Sequence, residues 1–387
     1  MGRQRRRRRE SQLLRRVRRA VDRAPSLVAG SMAVRLLWCD SVGAKSMAIY
    51  VDTPDVHLLV DPGASGMQPS FPLEEEERDA FKLAAFDTIR AWAKAADVVI
   101  VTHYHHDHYA DPAEFPDIYD GKLLLVKDPN QWINRSQWHR ARDFFDGLAK
   151  QYGDPASEPL TSEPRELSRH DPAREHPHAF GKDFGDYNRR RKQILDKGQR
   201  RLESLRQLWT EEPWLSPQKF GTVRVEFADE REFRFGQTRV RFTRPLFHGI
   251  EFATVGWIVA LVVEHGAHKL VFTSDLQGPT IEDYVDWLVQ EQPDLLILDG
   301  PPTYLFGQLV NRINMQRAIE NALRIAEQLP RTLVIYDHHL PRDPRFRERM
   351  HPLYEILQNL DRAPFLTMAE WCNLQPLVEE LTHAEVR

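Results

Sequence analysis

The stretch His103 to His108, "HYHHDH", sets His103, His105, Asp107 and His108 in the spacing H-x-H-x-D-H directly after the apolar run "VVIVT". Imidazole nitrogens and a carboxylate, with no thiolate among them, are a donor set for zinc, with manganese or iron as the competitors. On a tight loop after a strand, two histidines one residue apart converge on one metal, while the Asp and His that follow turn toward a second. Two ions about 3.5 to 4 Å apart share one hydroxide, which can attack a carbonyl or phosphoryl centre. His106 occupies the variable position of the pattern and is read as facing solvent.

Four side chains do not complete two coordination shells, so this chemistry demands a further histidine and a bridging carboxylate downstream, each at a strand end. The sequence supplies both. His248 closes "VRFTRPLFH", Asp275 closes "KLVFTSD", and His338 and His339 follow "TLVIYD". Adjacent residues do not both point inward by default, so His338 and His339 stand as alternatives for the last position. Asp61 in "LLVDPG" is either a turn former before Pro62 or a carboxylate that orients a ligand histidine. Asp299 in "LILDGPP" falls at the same sheet edge as Asp275 and is read as a supporting or pocket group. Arg135, Arg140 and Arg142 make a candidate anion patch. The other histidines, His57, His139, His170, His176, His178, His265 and His268 among them, follow no strand end and are read as solvated.

The elements that must position these groups are legible in the hydrophobic pattern. Short apolar runs from Val34, "AVRLLWC", "SMAIYVD" and "VHLLVDPG", read as strands. "EEEERDAFKLAAFDTIRAWAKA" reads as a helix, with acids in its first turn and Phe81, Ala85, Ile89 and Trp92 on one face. Residues 128–220 differ, being rich in charge and proline and poor in strand signals, and read as a largely helical insertion with a flexible polar middle. Strand and helix alternation then resumes, including a helix from Ile281 that Thr280 is expected to cap.

The chain of 387 residues carries a net charge of −4, which hides a basic N-terminus, "GRQRRRRRESQLLRRVRRAVDR". Residues 1–30 are expected to be a disordered tail outside the fold, with residues 31–387 forming the domain. Leu13, Leu14, Val17 and Val21 nevertheless recur at helical spacing among arginines, and such a segment could touch nucleic acid or an anionic membrane surface. No apolar run approaches the ~20 residues of a membrane span. Cys39 and Cys372 are too few for a disulfide framework, and a cytoplasmic location is expected.

With these motifs in place, "DPG", "THYHHDHY", "TSDLQGP", "DGPPTYL" and "YDHHLPRD", the chain resembles the metallo-β-lactamase superfamily, and within it a little-characterised family of predicted hydrolases. The resemblance implies an α/β fold of the αββα kind, two sheets face to face with helices outside and the metals at one sheet edge. It further implies that His103, His105 and His248 hold a first zinc, that Asp107, His108 and a terminal histidine, His338 by preference over His339, hold a second, and that Asp275 bridges. The expected activity is metal-dependent hydrolysis of an ester-like or phosphodiester bond in a small molecule, with Asp107 orienting the hydroxide. The alternative is a nuclease or nucleic-acid-binding factor anchored by the arginine-rich tail.

Overall fold

The computed structural model describes residues 2–153 and 159–385. In chain order, α1 (Gly2–Arg23), β1 (Leu27–Ala29), β2 (Met32–Cys39), β3 (Met47–Asp52) and β4 (His57–Val60) precede α2 (Glu75–Ala93), β5 (Val98–Val101) and β6 (Leu123–Val126). There follow α3 (Arg135–Tyr152), β7 (Thr161–Ser162), α4 (Pro172–Glu175), α5 (Pro177–Gly181), α6 (Asn188–Glu211), β8 (Trp214–Leu215), β9 (Gln218–Phe220), β10 (Val223–Phe227), β11 (Glu232–Phe235) and β12 (Thr238–Phe242). The remainder runs β13 (Leu246–Phe247), β14 (Trp257–Ile258), β15 (Leu261–His265), β16 (His268–Phe272), α7 (Glu282–Glu291), β17 (Leu295–Asp299), α8 (Arg312–Gln328), β18 (Leu333–Asp337) and β19 (Phe365–Leu366), with short helices around and after β19.

Two mixed sheets share one core, giving the αββα arrangement. The first has the order β1-β2-β3-β4-β5-β6-β10-β9 and the second β11-β12-β15-β16-β17-β18-β19. The four strands β4, β5, β6 and β10 run parallel, as do β16, β17, β18 and β19. Strands covered on both faces become continuous apolar runs. Accordingly every residue of "VVIV" in β5 and "LLILD" in β17 is buried. α2 lies over the first sheet by burying Phe81, Ala85 and Ile89, and a capping box between Glu74 and Glu77 starts it.

Three expectations change in the folded chain. Residues 1–30 are not a disordered tail over the described part: α1 is a helix that buries Val17 and Val21 in the core. Its end is held by Arg35, which donates to the carbonyls of Val21 and Asp22 at 2.8 and 2.6 Å. Apolar spacing won over like-charge repulsion because Arg15, Arg16, Arg19 and Arg23 face water; Met1 lies outside the described residues. Thr280 does not cap α7, since its hydroxyl donates to Gln277 O (2.8 Å) and Ile281 takes the cap position without a side-chain bond. His176 is buried and bonds Pro172 O through Nδ1 (2.9 Å).

The region 128–220 is largely helical and is fastened to the domain at both ends. α3 buries Phe144 and Phe145, and α6 buries Leu202, Leu205 and Trp209. Trp209 meets Trp257 of β14 at 6.0 Å and Trp132 at 5.7 Å between ring centroids. Gly198 lets α6 come close to the loop after β13, where an added Cβ would stand 2.4 Å from Phe252 Cβ. Residues 154–158, part of the expected polar middle, lie outside the described residues.

Candidate metal centre

Parallel strands end at one edge, and five apolar runs there finish in aspartate or lead straight into it: Asp40 after β2, Asp61 after β4, Asp275 after β16, Asp299 in β17 and Asp337 in β18. The H-x-H-x-D-H loop leaves β5 at the same edge, and His248 leaves β13. The backbone bends sharply at these exits. Asp61, Ser274 and His338 hold φ of 47°, 52° and 63°, conformations that non-glycine residues enter at a cost of order 1–3 kcal/mol. Left-handed geometry at three strand ends turns the side chains inward.

Asp275 is the pivot of the cluster. Its Oδ2 lies 2.9 Å from His248 Nε2 and 3.5 Å from His103 Nε2, and His103 Nε2 lies 3.0 Å from His105 Nδ1. Its Oδ1 faces the other way, 3.0 Å from His108 Nε2 and 3.3 Å from His338 Nε2. These two nitrogens are 3.3 Å apart, and Asp107 Oδ2 is 3.8 Å from His338 Nε2. A tetrahedron with metal–nitrogen bonds of about 2.0–2.1 Å has edges of roughly 3.3–3.4 Å, so these spacings suit two metal ions. His103, His105, His248 and Asp275 form one group able to hold an ion, and Asp107, His108 and His338 another.

Hydrogen bonding agrees with that use. His103 Nδ1 meets the hydroxyls of Thr102 (3.2 Å) and Ser274 (3.3 Å), and His105 Nε2 meets Gln137 Nε2 at 3.5 Å. His108 Nδ1 pairs with Asp61 Oδ2 at 2.8 Å, and His338 Nδ1 with Asp40 Oδ1 at 3.0 Å and Ser46 O at 3.1 Å. Each of these four rings is therefore anchored by one nitrogen and aims the other into the cluster, the arrangement that fixes tautomer and orientation in metal-binding histidines. Both ring nitrogens of His248 and Oδ1 of Asp275 are buried without a hydrogen bond, although charge pairs surround them. Buried polar atoms left so are expected only where another partner belongs.

The electrostatics point the same way. Burial pushes His103 down to about 3 and His105 well below its usual value, which leaves neutral imidazoles with lone pairs free. Burial would also lower His108, but Asp275 and Asp61 lift it to about 10, and Asp40 and Asp275 likewise raise His338. Burial works to raise Asp107, yet His108, His338 and Arg342 hold its carboxyl well below the usual range. The carboxylates are thus arranged around positive charge, which protons or metal dications can supply.

Asp61 accepts from Thr102 N (2.8 Å) and the Thr102 hydroxyl (2.6 Å) and pairs with His108 Nδ1 (2.8 Å), so its carboxylate fixes the His108 ring. Gly63 beside it is required by contact: a Cβ there would stand 2.3 Å from Tyr109 N and 2.5 Å from His108 N. His338 and His339 are both buried, but His339 gives Nδ1 to Asp299 Oδ1 (2.9 Å) while His338 faces His108. Asp299 also accepts from Gln277 N and His339 N and takes no place among the metal-holding groups. His106 is exposed. Of the arginine trio, Arg142 serves structure, stacked 3.3 Å from the Trp138 ring centroid and donating to Pro129 O and Pro213 O, and Arg135 is exposed.

Sequence reasoning missed Asp40 and Arg342. Arg342 is buried, pairs through Nε with Asp40, and sets Nη2 3.3 Å from His338 Nε2 and 3.5 Å from Asp107 Oδ2. The signal for Asp40 was present, since "LLWCD" ends in aspartate as the other site strands do. Arg342 carried no signal in a chain with so many arginines.

A family model for the metallo-β-lactamase superfamily matches residues 43–186. A UPF0282 protein of Methanopyrus kandleri is 30% identical over 366 residues, spanning 92% of this chain and 100% of the relative. One from Methanocaldococcus jannaschii is 28% identical over 368 residues, covering 92% and 97%. Among solved structures, the metallo-beta-lactamase fold protein YhfI from Bacillus subtilis aligns with 87% of this chain and 95% of its own, at 15% identity and a TM-score of 0.40. Identity sustained along nearly the whole length of the Methanopyrus relative makes this chain a member of the UPF0282 family, within the metallo-β-lactamase superfamily.

Proposed function

We propose that the chain is a metal-dependent hydrolase with two metal ions. His103, His105 and His248 would hold one, Asp107, His108 and His338 the other, and Asp275 would serve both. The observation that carries this reading is the division of Asp275, one oxygen to each histidine group. When bound, a pair of zinc ions, or of manganese or iron, supplies a water acidic enough to be a nucleophile near neutral pH and positive charge for the transition state.

The chain's own groups do the rest. Asp107 is the most accessible of the carboxylates in the cluster, with 16% of its side chain exposed, and it stays ionised beside Arg342. It would orient a water at the mouth of the cluster. Arg342 adds a fixed positive charge where negative charge would develop on a carbonyl or phosphoryl oxygen. The test is elemental analysis of protein kept from chelators, followed by a screen across ester, thioester, lactone and phosphodiester substrates. Close to two transition-metal ions per chain and turnover of one class is the expected result; a chain that takes up no metal on reconstitution refutes it.

A second reading is favoured by α1, whose Arg15, Arg16, Arg19 and Arg23 border a surface groove of about 430 Å³. Such a stripe suits a nucleic-acid backbone, and its signature is an affinity for RNA that falls steeply with salt.

A further inference from the structure

The approach to the metal cluster is not electrically even. A cavity of about 420 Å³ opens directly over His105 and Asp107, and its walls carry Lys45, His106 and Arg140 together with the start of α3. Apart from Asp107 no acidic side chain lines it. Asp111 and Asp143 act on His106, but from outside the cavity wall.

The two cations are held in place without being neutralised. Lys45 lies between β2 and β3, and its backbone is bridged both ways to Ser65 at 2.9 Å, which fixes the root of the side chain. Its ammonium meets no hydrogen-bonding or ion-pair partner among the described residues. Burial and the nearby Arg342 lower its pKa, against the opposing pull of Asp107 and Asp40. Arg140, half-buried on α3, makes one long bond, Nη1 to Tyr104 O at 3.4 Å.

The helix adds to this. Asn134 caps α3 by accepting from Gln137 N at 2.7 Å and is itself pinned by donating to Thr254 O at 2.8 Å. The N–H groups of Arg135 and Ser136 have no acceptor within the helix, and the positive end of an 18-residue helix dipole faces the cavity. A neutral ligand would desolvate two cations and return only hydrogen bonds to neutral oxygen, whereas an anionic oxygen group would make the stronger charge-assisted pairs with both.

We propose that this cavity seats an anionic oxygen group of the substrate, next to the bond that is cut, so that the substrate class is phosphate-bearing. Donors converge from the β2–β3 loop, from α3 and from its first turn, and three directions suit a tetrahedral phosphate better than a planar carboxylate. The inference rests on the hydrolase reading for its notion of a substrate, but the site itself is an anion site with or without turnover.

The experiment titrates metal-loaded full-length protein with inorganic phosphate, and separately with acetate, by calorimetry. Wild type, Lys45→Gln, Arg140→Gln and the double variant are compared, with metal content measured on each. Loss of one charge-assisted contact should weaken phosphate about 10-fold in each single variant and further in the double, at unchanged metal content. If acetate rather than phosphate responds, the seat stands for the shared oxyanion chemistry and phosphate is the wrong occupant. Equal phosphate affinity in wild type and double variant, with acetate equally unaffected, overturns the proposal, because the metal ions alone would then hold the anion. A chain that binds phosphate as expected and hydrolyses nothing refutes the hydrolase reading and leaves the seat. A hydrolase of neutral esters whose KM ignores both variants does the reverse.

Discussion

The loop that carries His248 is held by a buried ionic lock, and cutting it should cost stability and metal together. Arg317 of α8 donates to Glu282 at 3.0 and 2.7 Å and to Glu251 at 3.1 and 2.7 Å. Only 2% of the Arg317 side chain is exposed, against 4% for Glu251 and 8% for Glu282. Removing one partner from such a network leaves uncompensated buried charge, at about 3–5 kcal/mol. Arg191 of α6 still reaches Glu251 at 2.9 Å and Lys182 still reaches Glu282 at 2.9 Å, so the lower end, about 3 kcal/mol, is expected for Arg317→Ala. For a chain of 387 residues the unfolding entropy is about 0.8 kcal/mol/K, which converts that loss to a fall in Tm of roughly 4 °C. Calorimetry measures the shift, and competition with a chelator measures whether the group containing His248 loses its ion first. The triple variant Arg317→Met, Glu251→Gln, Glu282→Gln removes Arg317 and both its carboxylates but leaves Arg191 and Lys182 without these partners, so it should recover only part of the loss. A Tm within 1 °C of wild type in Arg317→Ala, with metal retention unchanged, would refute the claim that this network fixes the loop.

Asp275→Asn should lower metal content toward one ion or fewer and cut hydrolysis by at least about 10²-fold. Asp299→Asn should leave metal content nearly intact, because burial and the charge of Asp275 already push the Asp299 carboxyl well up toward its neutral form. Gly63→Ala forces a Cβ against the His108–Tyr109 backbone; a loss of about 1–3 kcal/mol in thermal unfolding and depletion of the ion held by His108 are expected. Deleting residues 1–24 removes the buried Val17 and Val21, worth roughly 3–6 kcal/mol as an upper bound, so the truncated chain should melt several degrees lower. Burial would raise Glu251, but Arg317 and Arg191 hold its pKa below the usual 4.5, so its contribution is complete above that value and is lost as pH falls through the folded-state pKa. The Tm gap between wild type and Glu251→Gln should therefore be constant from pH 7 to 5 and close on further acidification.

The residue types of the cluster were legible along the chain, because H-x-H-x-D-H is a local pattern and the later ligand candidates each follow an apolar strand run. Continuous runs such as "VVIV" and "LLILD" marked strands covered on both faces, and the αββα layering followed from the family resemblance that the motifs carry. Periodicity at Leu13, Leu14, Val17 and Val21 was legible too, but composition outweighed it, and only packing against the first sheet showed that the helix belongs to the fold. Other features depend on groups hundreds of residues apart and emerge only in the folded chain. Asp40 and Arg342 meet across 302 positions, and only packing sets the His338 ring against His108 and the His339 ring against Asp299, while Asp275, His338 and His339 also come together as a candidate metal group. The cation pair at the mouth has the same origin: Lys45 and Arg140 become neighbours of one cavity only when the β2–β3 loop and α3 close over the end of β5. Periodicity and spacing are local in the chain, whereas burial and charge pairing arise only once distant strand ends share an edge.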